Sequence, residues 1–214
     1  MSLRSRLHAG DPDAFRELFD EHVRTVYNVG FRLTGNWSVA EDIASLTFLE
    51  AWRLRERIDV DAEAGTLRPW LLGIATNVAR NVRRAARRYE DAVLRLPPAE
   101  PVPDPADEVA HRIDDRDRVG RVLAALAKLS RADREVLVLC VWSGLDYGEA
   151  ARALGIPIGT VRSRLSRARR KLEALLAAMD SAARDSAAKE PAPRSGQVLR
   201  DRPTAVRIAT EEAR

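Results

Sequence analysis

At 214 residues the chain has room for one domain or two small ones, and 36 Lys and Arg against 32 Asp and Glu leave a net charge of only +4. Only Lys128, Lys171 and Lys189 are lysines, so nearly all positive charge is arginine, and it is clustered. A lone Cys140 excludes an internal disulfide, the scattered His8, His22 and His111 exclude zinc-ligand spacing, and no apolar run approaches the roughly 20 residues that span a bilayer.

The chain also lacks a phosphate-binding glycine loop, a zinc-protease His pair and a nucleophile elbow, so neither an enzyme nor a cofactor is expected. Residues 1–10 carry no signal-peptide core, and the reading is a soluble, cytoplasmic, all-α protein. Its first helix opens at Asp11-Pro12, cap and first turn. Phe15, Leu18, Phe19, Val23, Val26, Tyr27 and Phe31 follow at helical spacing as a core stripe, and Gly35-Asn36 marks a loop. Ser38 to Glu41 reads as a capping box for a second helix. Ile43, Ala44, Thr47, Phe48 and Ala51 should face inward there. Asp42, Leu46, Leu49 and Arg53 share the other side and are either a partner surface or ordinary surface residues.

Residues 54–65 are polar and read as a loop. Thr66 then precedes a third helix with Pro69 in its first turn. Trp70, Leu71, Ile74, Ala75, Val78 and Val82 supply its apolar face, and Gly73, Asn77, Arg80, Arg84 and Arg87 a polar stripe. Between Arg68 and Arg88 stand six arginines and no acid. That favours a phosphate backbone as partner over a solvated face, with Asn77 able to read a base edge. Composition then shifts: Pro97, Pro98, Pro101, Pro103 and Pro105 mark an extended linker, and residues 90–117 hold nine acids against three arginines. Such a tether could shield the basic faces or merely solubilise the chain.

Helix resumes after Asp107, with Val119, Val122, Leu123, Leu126 and Leu129 as apolar positions, and Ser130-Asp133 caps the next helix. From Ser143 to Lys171 the signals converge on a helix-turn-helix. Asp146 and Glu149 form a capping box over Tyr147 to Leu154, Gly155 supplies a positive φ, and Pro157 suits the start of the following helix. In that second helix Ile158, Val161, Leu165, Ala168 and Leu172 should pack inward. The remaining face carries Thr160, Arg162, Ser163, Arg164 and Arg167, within a stretch of six basic residues and no acid from Pro157 to Lys171. Hydroxyls and guanidinium forks on one helix face suit the major groove. Past Met179 the apolar pattern fades into a tail expected to be largely disordered, with a weak helix near Val206–Ala213.

Three of these stretches together resemble a bacterial sigma factor of the extracytoplasmic-function (ECF) class of the sigma-70 family. AEDIASLTFLEAWR (Ala40–Arg53) is similar to region 2.2, RPWLLGIATNVARNVRR (Arg68–Arg84) to regions 2.3 and 2.4, and IGTVRSRLSRARRKL (Ile158–Leu172) to region 4.2. The resemblance implies region 2 over residues 1–88, a linker over 89–112, region 4 over 113–177, and a tail over 178–214 outside the minimal family pattern. It implies that Asp42, Ser45, Leu46, Leu49 and Arg53 dock core RNA polymerase at the β′ clamp helices, with the β subunit as a further contact. Asn77, Arg80, Arg83 and Arg84 would meet the −10 element as it opens, residues 54–65 would capture its unstacked strand, and Thr160, Arg162, Ser163, Arg164 and Arg167 would read the −35 element. An anti-sigma factor is a further partner the family allows. Where the family usually carries Gln and an acid, this chain has Ser45 and Leu46, a less polar docking face. The rival is an autonomous helix-turn-helix regulator that binds duplex DNA without polymerase; a nuclease would need a clustered carboxylate or histidine site.

Overall fold

A computed structural model describes residues 2–60, 66–93 and 115–189, and among them every regular element is helical. The order is α1 (Leu3–His8), α2 (Pro12–Thr34), α3 (Trp37–Arg53), α4 (Arg68–Val93), α5 (Asp115–Ala127), α6 (Arg131–Leu137), α7 (Tyr147–Leu154) and α8 (Ile158–Lys189). One tight turn of 3₁₀ helix, Arg55–Arg57, follows α3, and α6 runs on into a wider π-type turn over Val138–Trp142. The chain divides into two units, Met1–Met179 and the residues from Asp180 onward. Within the second unit, the described residues up to Lys189 continue the helix.

Local chemistry accounts for most boundaries. Asp11 caps α2, its Oδ1 accepting from Asp13 N at 2.9 Å and Ala14 N at 3.4 Å, with Pro12 in the first turn. Gly35 ends α2 at φ 75°. That reversal leaves Asn36 extended, where its Oδ1 accepts from Val39 N at 3.0 Å. Asn36 therefore caps α3, not Ser38, which lies inside the first turn. The α1 helix had no expectation in the sequence; Ser2 Oγ caps it by accepting from Ser5 N at 3.2 Å. Leu7 buries itself with Ala14, Leu18, Ile58 and Leu67 in a small satellite core, so the stretch expected as a polar loop over 54–65 carries a buried anchor at Ile58; its residues 61–65 lie outside the described residues.

The principal core joins both halves of the first unit. Val26, Val29, Ile43, Phe48, Leu71 and Leu72 share one apolar cluster with Leu126, Val136, Leu139, Val161 and Leu165. Aromatic packing fixes the α2–α3 pair: Phe15 meets Phe48 and Trp52 edge-on at 6.3 and 5.1 Å between centroids. The contact between α4 and α7 depends on Gly73, expected on the polar stripe of α4 but buried. A Cβ there would lie 2.7 Å from the Ala153 carbonyl oxygen. Leu72 and Thr76 are buried for the same reason, because α7 covers a second face of α4.

Four further expectations change. Ile158 is 47% exposed, because α8 begins there and no preceding turn covers it, whereas Val161, Leu165 and Ala168 are fully buried. Val119 and Phe19, the latter expected in the core stripe of α2, are likewise exposed. Helix α4 extends to Val93, past the boundary expected at residue 88. Helix α8 continues to Lys189, through the start of the segment expected to be a disordered tail. Most of the proline-rich linker, residues 107–114 of the helix expected from Asp107, and the weak helix near Val206–Ala213 lie outside the described residues; the rest of that helix is α5.

Candidate nucleic-acid and polymerase interface

Each half of the fold presents one arginine-bearing helix, and both are tied to α6. On α4, Asn77 and Arg84 are exposed while Arg80 and Arg83 are half-buried. Arg80 donates through Nε and Nη2 to the two carboxylate oxygens of Glu135, at 2.8 and 2.6 Å, a fork-on-fork pair that holds its guanidinium above its ordinary pKa. Its Nη1 donates to Asn77 Oδ1 at 3.0 Å. Arg83 reaches the Leu33 carbonyl at 3.4 Å. The α4 stripe is thus a mixture of free and engaged cations.

On α8 the first turns carry Thr160, Arg162, Ser163 and Arg164. Ser163 Oγ donates back to Thr160 O at 3.1 Å, and Arg162 lies over the Tyr147 ring at 5.7 Å. The expected capping box is present in full: Asp146 Oδ1 accepts from Glu149 N at 2.7 Å, and Glu149 Oε2 accepts from Asp146 N at 2.9 Å. Gly155 then turns the chain at φ 65°. Arg167 lies further along, its Nη2 3.1 Å from Asp133 Oδ1. Burial works to raise the Asp133 carboxyl, but hydrogen bonds from Arg167 and Ser130, with the Arg167 and Arg164 charges, leave it below the usual range.

Sequence reasoning missed the acids that answer these arginines. Asp133 and Glu135 are both buried, and between them stands buried Arg134, which donates to the carbonyls of Leu33, Ala127 and Leu129 at 3.1, 2.9 and 3.2 Å. Those oxygens belong to helix ends with no further turn to bond them, so a cation satisfies them. The available signal was Asp133-Arg134-Glu135 itself: three charges in a row inside a seven-residue helix cannot all face water once Val136 and Leu137 are buried.

The third surface is the outer side of α3. Asp42, Ser45, Leu46, Leu49 and Arg53 are all exposed along it, with Leu46 43% and Leu49 47% accessible. Arg53 sits 3.7 Å from Glu50. The opposite side of the same helix holds Ile43, Thr47, Phe48 and Ala51 in the core. This face is separate from both arginine helices.

The comparisons with known proteins decide the family. Residues 18–89 match the family model described as Sigma-70 region 2, and residues 120–172 match Sigma-70, region 4. The chain is 34% identical over 184 residues to RNA polymerase sigma factor NccH of Alcaligenes xylosoxydans xylosoxydans, covering 82% of this chain and 93% of that one. It is 34% identical over 170 residues to ECF RNA polymerase sigma factor SigL of Mycobacterium tuberculosis, covering 78% and 92%. The chain belongs to the ECF sigma factors of the sigma-70 family. The structure of the sigma factor CnrH in complex with the cytosolic domain of CnrY matches it at TM-score 0.62 and 28% identity, covering 82% of this chain and 96% of that one. As a sigma factor, the chain directs promoter-specific initiation of transcription by RNA polymerase. Sigma factors are initiation factors, and among the described residues no helix is long and apolar enough to cross a membrane.

Proposed function

We propose a division of labour among the three surfaces. The outer side of α3, with Asp42, Ser45, Leu46, Leu49 and Arg53, binds core polymerase at the β′ clamp helices. The α4 residues Asn77, Arg80, Arg83 and Arg84 engage the −10 element. Thr160, Arg162, Ser163, Arg164 and Arg167 of α8 read the −35 element. Residues 1–88 and 113–177 are the two modules, joined by the acidic linker, and the tail lies beyond the minimal machinery. The factor acts in the cytoplasm and performs no chemistry of its own.

The observation that carries this reading is the pair of exposed leucines on an otherwise charged α3 face, a third surface that an autonomous DNA-binding regulator does not need. An anti-sigma factor is a further partner. A groove of about 590 Å³ between α2 and α5, lined by Phe31, Arg32, Trp37, Leu123, Leu126 and Trp142, supports it by offering exposed aromatic surface. The test is reconstituted transcription. Core polymerase with this chain should start at defined promoters, and core polymerase alone should not. Initiation that is independent of the chain, with a palindromic duplex protected by the chain alone, would favour the regulator.

A further inference from the structure

Between α4 and α6 lies a cavity of about 280 Å³, at the lower limit of the roughly 300–1,000 Å³ usual for small-molecule sites. Arg80, Arg83, Arg84 and Arg87 line it from α4, and Arg131 and Arg134 from α6. Glu135 is the only carboxylate among its described lining residues. Both Glu135 oxygens are already engaged by the Arg80 fork, and Arg131 stands 3.7 Å from one of them. The other polar acceptor at the site, the Leu33 carbonyl, takes hydrogen bonds from Arg83 and Arg134, but it is neutral and cannot cancel their charge.

Two observations indicate that something further is meant to enter. Arg134 is only 6% exposed, and its Nε has no hydrogen-bond partner, a buried donor left unsatisfied beside a cavity large enough to hold an acceptor. The arginines also repel one another. Burial first, then Arg87 and Arg131, hold the Arg83 guanidinium below its ordinary pKa, and burial, then Arg83 and Arg87, do the same to Arg134. A fold does not gather six guanidinium groups around one carboxylate at no cost, and an anion with several oxygens would relieve both problems.

We propose that this arginine pocket binds a compact oligophosphate anion, either diphosphate or the phosphate chain of a nucleotide, which bridges α4 and α6. Planar guanidinium forks take phosphoryl oxygens in pairs, and the volume suits a short phosphate chain with any attached nucleoside left outside. The site rests on the pocket's own charge and geometry, and it shares Arg80, Arg83 and Arg84 with the surface proposed for the −10 element, so anion and DNA would compete there.

Calorimetric titration of the full chain with inorganic diphosphate, at fixed ionic strength, tests this. Parallel titrations use sulfate, ATP and a short single-stranded oligodeoxynucleotide. Diphosphate should bind saturably and roughly tenfold or more tighter than sulfate, and should raise the melting temperature. Arg87→Ala and Arg131→Ala, both at exposed positions outside the proposed DNA-reading set, should each weaken it about tenfold while circular dichroism stays unchanged. ATP binding as tightly as diphosphate assigns the site to a nucleotide's phosphate chain, and diphosphate alone assigns it to the free anion. The proposal is overturned if sulfate matches diphosphate, if both variants bind as well as the native chain, or if only the oligonucleotide saturates the protein.

Discussion

Replacing Gly73 with alanine tests how the two halves hold together. The new methyl group would sit 2.7 Å from the carbonyl oxygen of Ala153 and 3.2 Å from its Cα. Both are backbone atoms of α7, so no side-chain rotation can relieve the clash, and α7 itself must shift. Overpacking of this kind costs about 1–3 kcal/mol. In an α4 helix freed from α7, the same substitution instead stabilises by about 1 kcal/mol, because glycine is a poor helix former. The two effects act on different equilibria. The clash exists only while α7 lies on α4, so it shifts the balance toward separation of the halves by roughly 5- to 150-fold. Helix content in α4 should not fall.

Hydrogen exchange in the full chain separates these outcomes. Amides of α7, whose Ala150 and Ala151 are buried, should exchange faster by that factor, while those in the α2–α3 pair should keep their protection. Far-ultraviolet circular dichroism should remain at the native level. If α7 keeps its native protection and the protein melts higher, as helix propensity alone would dictate, then the packing argument is wrong.

Other perturbations address single surfaces. Glu135→Gln keeps the shape of the side chain but removes the charge that holds Arg80. Stability should fall by about 1–3 kcal/mol, affinity for a −10 oligonucleotide should rise, and the salt dependence should steepen by about one counterion; an unchanged salt slope would mean that Arg80 meets no phosphate. Leu46→Asp with Leu49→Asp should abolish association with core polymerase in a pull-down, yet move stability by less than about 0.5 kcal/mol per site, because both side chains are exposed. His22 is buried, and burial, reinforced by the Arg68 charge and opposed by Glu21, lowers its pKa. Above about pH 6.5 the imidazole is neutral folded or unfolded. As pH falls below that value the unfolded chain takes up the proton first, so stability is lost as pH drops through the lowered folded pKa. Urea midpoints at successive pH values should show this loss, and His22→Leu should flatten it.

Signals that act over a few residues were legible. The helix-turn-helix could be placed to the residue because Asp146, Glu149 and Gly155 each fix a boundary through their own backbone contacts. The Asp11-Pro12 start of α2 was readable for the same reason. Where two local signals competed, the choice depended on geometry the sequence does not carry: Asn36 and Ser38 are both capping residues, and the direction in which Gly35 releases the chain selects the first. Gly73 and Ile158 failed in opposite ways. Periodicity assigns residues to faces of a helix, but which faces are covered depends on what packs there. Helix α7 covers a second face of α4, and nothing covers Ile158 at the start of α8, although Val161 in the same turn is buried.

Charge was the least legible property, and that bears on mechanism. The runs from Arg68 to Arg88 and from Pro157 to Lys171 contain no acid, which in sequence reads as a demand for nucleic acid. In the fold, Arg80 finds Glu135 across 55 positions and Arg167 finds Asp133 across 34. Both acids sit on one turn of one seven-residue helix. A guanidinium whose fork is filled by a carboxylate cannot give the same N–H groups to a phosphate or a base. Arg80, whose Nε, Nη1 and Nη2 are all engaged, must leave Glu135 to make the promoter contact proposed for it, whereas Arg167, 58% exposed, meets Asp133 through Nε and Nη2 only. Both acids are buried on α6, so an arginine that leaves either one uncovers a buried carboxylate, a cost that the DNA contact must offset.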